Sequence, residues 1–128
     1  MNQIARLPDA ELEVMNALWA AGEPLTRPEL EQRLSHKGWA ATTLLALLTR
    51  LEEKGFVTRH KQGRGYLYAA AVPRREYAKT EGRTALGRMF GGSAKNLVAA
   101  LAETDALTDA DIDELSNYLE QLKRRHRT

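Results

Sequence analysis

Leucine recurs at positions 44, 47, 48 and 51, and steps of three and four lay a single apolar stripe along a helix. The opposite face carries Thr42, Thr43, Ala46, Thr49 and Arg50. These side chains are short apart from one long cation, so another surface can approach this face closely. Gly55 ends the helix, since glycine accepts the left-handed backbone of a helix C-terminus at little cost, which predicts a helix from about Ala41 to Lys54. Leu45 sits at the margin of the stripe. It is open to two readings, a peripheral core residue or an apolar contact on the thin face.

The segments Phe56 to His60 and Tyr66 to Ala70 are predicted strands. They flank Lys61-Gln62-Gly63-Arg64-Gly65, in which Gly63 and Gly65 are expected to supply the positive φ of a tight hairpin. This pair of glycines is no phosphate-binding loop, because a third glycine and a following helix are both missing.

Upstream, Pro8-Asp9 suits the first turn of a helix bearing Leu12, Met15, Leu18 and Trp19, which ends at Gly22. Trp19 lies in the apolar stripe, so a core role is expected for it. Met1 to Arg6 is expected to fray. Thr26 with Glu29 forms a capping box that starts a second helix, whose inner face is Leu30 and Leu34. Ser35 to Gly38 is the turn after it. Two helices joined by a short glycine-containing turn, the second thin-faced and followed at once by a hairpin, outline a winged helix-turn-helix.

Pro73 cannot continue a strand ladder, and the helical pattern resumes from Arg74 to about Phe90 with Tyr77, Leu86, Met89 and Phe90. Gly82 and Gly87 each weaken this helix by about 1 kcal/mol relative to alanine. After Gly91-Gly92, Ser93 caps a short helix with Leu97, Val98 and Leu101. Thr108 with Asp111 caps a last helix with the stripe Ile112, Leu115, Leu119 and Leu122. The expected fold is mainly α: a winged helix-turn-helix of three helices and a hairpin over residues 1–73, then three helices over residues 74–128. The second part is short and sparse in apolar residues, so it has difficulty burying a core alone. Two chains sharing Leu97, Leu101, Ile112, Leu115, Leu119 and Leu122 would solve this, and a homodimer is expected.

Charge sharpens the picture through its distribution rather than its sum, which is only +2. Thr58 to Arg75 holds five Lys or Arg and no acid, whereas Glu103 to Glu120 holds seven acids and no base. The end of the chain, Lys123 to Arg127, is basic again. A basic hairpin next to a thin helix face is the footprint that DNA phosphates attract. On this reading Thr42, Thr43, Ala46 and Arg50 face the major groove, where arginine can bond guanine and threonine or alanine can touch a thymine methyl. Arg59, Lys61 and Arg64 neutralise phosphates, which gives affinity and orientation.

Two rival readings belong to other classes. One is a winged helix used as a protein-protein module without specific DNA binding; the basic hairpin argues against it. The other is an enzyme, but no Ser/His/Asp arrangement or paired carboxylate stands out. Asp109, Asp111 and Asp113 are explained by capping and the helix dipole. No cysteine is present, which removes disulfides, thiolate metal sites and cysteine nucleophiles. His36, His60 and His126 show no metal-ligand spacing, and no metal or cofactor is expected. No apolar run is long enough to cross a bilayer and no signal-peptide core is seen, so a cytoplasmic location without membrane contact is expected.

The run from Leu7 to Trp19 resembles the opening helix of the penicillinase-repressor family, the BlaI/MecI/CopY type. Leu25-Thr26 with Leu34, Trp39 with Thr42-Thr43, Leu47-Leu48 with Arg50-Leu51, and Lys54-Gly55 resemble it too. The hairpin segment Gly63 to Tyr68 is similar to that family's wing. Glu76-Tyr77, Phe90 to Ser93, Leu97-Val98, Leu101 and Leu107 resemble its dimerisation region. The resemblance covers nearly the whole chain, and it is the order and spacing of the motifs that are specific. It implies a homodimeric repressor that binds inverted repeats in promoters of antibiotic-resistance or metal-resistance genes. In the antibiotic branch a membrane sensor-protease leads to cleavage at an Asn-Phe bond; in the copper branch a cysteine-rich motif binds metal. This chain has no cysteine, and Ala100-Leu101 stands at the positions matching the cleaved bond. Leu45 and Ala46 stand where the antibiotic repressors carry lysine and threonine, which implies a different operator.

Overall fold

The computed structural model describes residues 4–126. Of the expected frayed terminus, residues 1–3 lie outside the described residues, as does Arg127 of the basic tail. The chain divides into two compact units, Met1–Gly82 and Arg83–Thr128.

The first unit contains helices α1 (Asp9–Ala21), α2 (Arg27–Arg33) and α3 (Ala41–Glu53), with strands β1 (Leu25–Thr26), β2 (Val57–Gln62) and β3 (Gly65–Ala70). The strands form one antiparallel sheet in the order β1-β3-β2. β1 is an element the sequence pattern did not suggest. Its two residues pair Leu25 with Tyr68 and Thr26 with Leu67, which ties the start of α2 to the hairpin. The capping box forms as expected: the Glu29 amide donates to Thr26 Oγ1 at 3.3 Å, and Glu29 Oε1 accepts from the Thr26 amide at 2.8 Å. The Thr26 amide and, at 3.0 Å, the Thr26 hydroxyl both donate to the Glu29 carboxylate and hold it below its ordinary pKa, since they favour the charged form.

The core takes Val14, Met15 and Leu18 from α1, Leu30 from α2, and Leu44, Leu47, Leu48 and Leu51 from α3. Each such leucine contributes on the order of 1.5–3 kcal/mol by leaving water. Trp19 packs half-buried against this core, and its indole N–H donates to the Val72 carbonyl at 2.9 Å. The first turn of helix α4 (Arg74–Phe90) also belongs here. Tyr77 is buried; its ring lies 5.7 Å from those of Trp19 and Phe56, and its hydroxyl accepts from the Leu7 amide at 2.9 Å. The compact unit therefore runs past residue 73, where the strand pattern ends. Glu11 is buried on α1 and takes an ion pair from Lys54 at the end of α3. A carboxylate in the core needs such a partner.

In the second unit α4 runs on through Gly87 to Phe90, followed by α5 (Ala94–Glu103) and α6 (Asp109–His126). The caps are those expected. Ser93 Oγ accepts from the Asn96 amide at 3.1 Å, and Thr108 and Asp111 exchange bonds of 3.0 and 3.1 Å.

Candidate nucleic-acid interface

α3 turns its leucine stripe inward and its thin face outward. Leu44, Leu47, Leu48 and Leu51 are buried, while Thr42, Thr43, Ala46, Thr49 and Arg50 are exposed. The Thr49 hydroxyl donates to the Leu45 carbonyl at 2.9 Å, which folds that side chain back onto the helix and keeps the face low. Arg50 makes no ion pair among the described residues, so its guanidinium is free to act outward. Leu45 is 37 % exposed. It lies outside the buried core while more than half of its surface stays covered, in keeping with its marginal place in the stripe.

The hairpin is tighter than its sequence suggests. Gln62 pairs with Gly65, so only Gly63 and Arg64 form the turn, and both strands extend further toward the tip than expected. Gly63 has φ +60°, the conformation that a two-residue turn opened by glycine needs, whereas Gly65 lies in the strand without a positive φ. The expectation of a positive φ at both glycines is corrected on that point.

On the sheet, Arg59 lies opposite Tyr68 and Lys61 opposite Tyr66, so these four side chains share one face. Arg59 is not idle: its guanidinium bonds Glu52 of α3 at 3.0 Å and lies 4.6 Å from the centre of the Tyr66 ring. Together these contacts fasten the wing to the end of α3. Lys61 and Arg64 make no ion pair among the described residues and sit exposed on the wing. All seven expected DNA-contact residues are thus exposed within one compact unit, on α3 and on the hairpin that leaves it. The ion pair with Glu52 was not anticipated for Arg59. An acid seven positions ahead, across a glycine turn, is the only sequence signal for it.

In the second unit no described residue of α5 or α6 is buried. Leu97, Leu101, Ile112 and Leu119 are 37 to 50 % exposed, with Val98 and Tyr118 beside them in that range. Leu115 and Leu122 are half-buried. Leu101, Leu107, Leu115 and Tyr118 line an open cleft of about 660 Å³ between α5 and α6.

Among the described residues no group of three or more histidines or carboxylates could hold a metal ion, and no helix is long and apolar enough to cross a membrane.

Comparison with known proteins gives a consistent result. The model of the penicillinase repressor family matches residues 7–121. A penicillinase repressor of Bacillus licheniformis is 30 % identical over 125 residues, covering 98 % of this chain and 98 % of that protein. The methicillin resistance regulatory protein MecI of Staphylococcus aureus is 28 % identical over 118 residues, covering 92 % of this chain and 96 % of that protein. Among solved structures, the monomeric form of Bacillus licheniformis BlaI in complex with the blaP half-operator superposes with a TM-score of 0.51 at 33 % identity. It covers 60 % of this chain and 94 % of that chain.

Proposed function

This chain belongs to the penicillinase repressor family, whose members are transcriptional repressors and not enzymes, and we propose that it represses as a homodimer on an inverted-repeat operator in the cytoplasm. The observation that carries the reading is the exposed, short-chained face of α3 beside a cationic wing, within a unit similar to a protein solved with its half-operator.

In this reading α3 enters the major groove. Thr42, Thr43 and Ala46 approach the base edges, and Arg50 bonds a guanine edge or a phosphate. Lys61 and Arg64 neutralise backbone phosphates, and Arg59 sets the angle of the wing through Glu52 and Tyr66. The proposed division of labour is residues 1–73 for DNA binding and residues 74–128 for dimerisation. Leu97, Leu101, Ile112, Leu115, Leu119 and Leu122 meet their counterparts on a second copy. The exposure of Leu97, Leu101, Ile112 and Leu119 in the single chain supports this, because contiguous exposed apolar surface marks interaction sites. A signal delivered by a sensor-protease or another partner ends repression.

The test is a titration of the full chain against the DNA upstream of its own gene, followed by footprinting and sedimentation. Protection of two half-sites about one helical turn apart, or a multiple of that, by a dimer is expected. A monomer, or binding that is equal on scrambled DNA at every salt concentration, overturns the reading.

A further inference from the structure

Beside the reading face of α3, the first unit carries a concave groove of about 470 Å³ framed by the start of α2, by Leu45 and by the hairpin. Its apolar wall is Leu45 with the rings of Tyr66 and Tyr68, whose centres lie 6.5 Å apart. Its cations are Arg27, Arg59 and Arg64, and no carboxylate lines it. Arg27 is paired with Glu31 at 3.5 Å and Arg59 with Glu52 at 3.0 Å, whereas Arg64 makes no ion pair among the described residues. The two rings are tilted by 56° and Arg59 covers one side of Tyr66, so the groove offers an angled apolar wall with one uncompensated guanidinium, that of Arg64. Its volume lies in the range of small-molecule sites, roughly 300–1,000 Å³, and such sites typically combine an apolar lining with few polar groups.

We propose that the groove binds a small aromatic carboxylate, and that its occupancy excludes operator DNA. The ring lies against Leu45 and the tyrosines, and the carboxylate takes the forked N–H donors of Arg64, the geometry that guanidinium and carboxylate share. Arg64 is also assigned to a DNA phosphate, so the two ligands compete for it. This rests on the proposed DNA reading. A competitor at ten times its own dissociation constant weakens operator binding about elevenfold.

The probe is 2-naphthoate, with acetate as an anion without a ring and 2-naphthamide as a ring without charge, all at matched ionic strength. Operator binding of the full chain is measured first without them, so failure of the DNA reading is seen separately from failure of the groove. Naphthoate is then titrated by calorimetry and by amide NMR. One saturable site per chain is expected, with shifts at Thr26, Leu45 and Tyr66. Affinity should fall about tenfold or more in Arg64→Ala and be lost to both controls. Competition with operator should follow the measured naphthoate constant. Naphthoate binding no tighter than acetate or naphthamide, undiminished binding in Arg64→Ala, or operator affinity unchanged at saturating naphthoate each overturns the proposal. Because Arg27 lines the groove and carries no assigned DNA role, Arg27→Ala is the second variant, and it too should weaken naphthoate binding. Naphthoate affinity equal to that of the parent chain in Arg27→Ala also overturns the proposal.

Discussion

Arg59 and Arg64 are both wing arginines, yet their surroundings assign them different work, and salt dependence separates them. Arg64 has no ion pair among the described residues, whereas Arg59 bonds Glu52 at 3.0 Å and stacks on Tyr66 at 4.6 Å. Each phosphate neutralised contributes about 0.9 to the slope of log K against log salt on duplex DNA. Arg64→Ala should therefore flatten the slope by about 0.9, a loss that changes by about 3.5-fold over a fourfold range of salt. Arg59→Ala should weaken binding through a loosened wing, with a slope change less than half as large. Glu52→Gln should free Arg59 for a phosphate and steepen the slope by up to about 0.9. The Arg59–Glu52 pair is solvent-exposed, so its own effect on folding is on the order of 0–1 kcal/mol, and all three variants should remain folded. Fluorescence anisotropy with a labelled operator across a salt series, alongside thermal melts, reads these outcomes. Equal flattening in Arg59→Ala and Arg64→Ala, with Glu52→Gln unchanged, would show that Arg59 leaves Glu52 in the complex and would refute the assignment.

Three further predictions follow from single side chains. Leu45→Lys should cost less than about 0.5 kcal/mol in a thermal melt, as a surface change does, yet alter the half-site selected from random DNA; a loss of roughly 1–3 kcal/mol with unaltered sites would make Leu45 a core residue. Tyr77→Phe strands the buried Leu7 amide and should destabilise the first unit by about 1–3 kcal/mol in denaturant titrations. Burial, aided by Glu81, raises the Tyr77 pKa above its ordinary value. The folded form thus holds the proton more tightly, so the stability it carries is complete below the ordinary tyrosine range and falls as pH rises through it. Melts between about pH 8 and pH 11 should fall more steeply for the parent than for Tyr77→Phe, and parallel curves would count against this. Leu119→Lys places a charge on an exposed face of α6, so sedimentation should find a monomer whose first unit melts unchanged; an intact dimer would remove Leu119 from the interface.

What the sequence revealed was what local rules govern. The stripe of α3 is read from spacing alone because its four leucines pack on one side. The capping box at Thr26, the caps at Ser93 and Thr108, and the end of α3 at Gly55 each depend on neighbours a few residues away. What escaped depends on contacts distant in the chain. The pairing of β1 with β3 joins residues about forty apart, and two residues carry no periodicity to detect. No local pattern in α1 marks Glu11 as buried, and it is the approach of Lys54 from the end of α3 that makes its burial tolerable. Tyr77 follows Pro73, where the strand pattern stops, so nothing local shows that its ring returns to Trp19 and Phe56. Of the candidate site, the residue types and their exposure were legible. The tie between Arg59 and Glu52 was not, because its geometry is set by the twist of the hairpin on α3.

The most direct measurement of the central claim is selection of binding sites from a random duplex pool by the full chain, by Thr43→Ala and by Arg50→Ala, each checked for folding by thermal melt. The expected result is an inverted repeat for the parent, with half-sites spaced for a dimer, and a changed or relaxed base preference in each variant. Identical selected sites for all three folded proteins, or no enriched sequence at all, would contradict the assignment of α3 as the element that reads DNA.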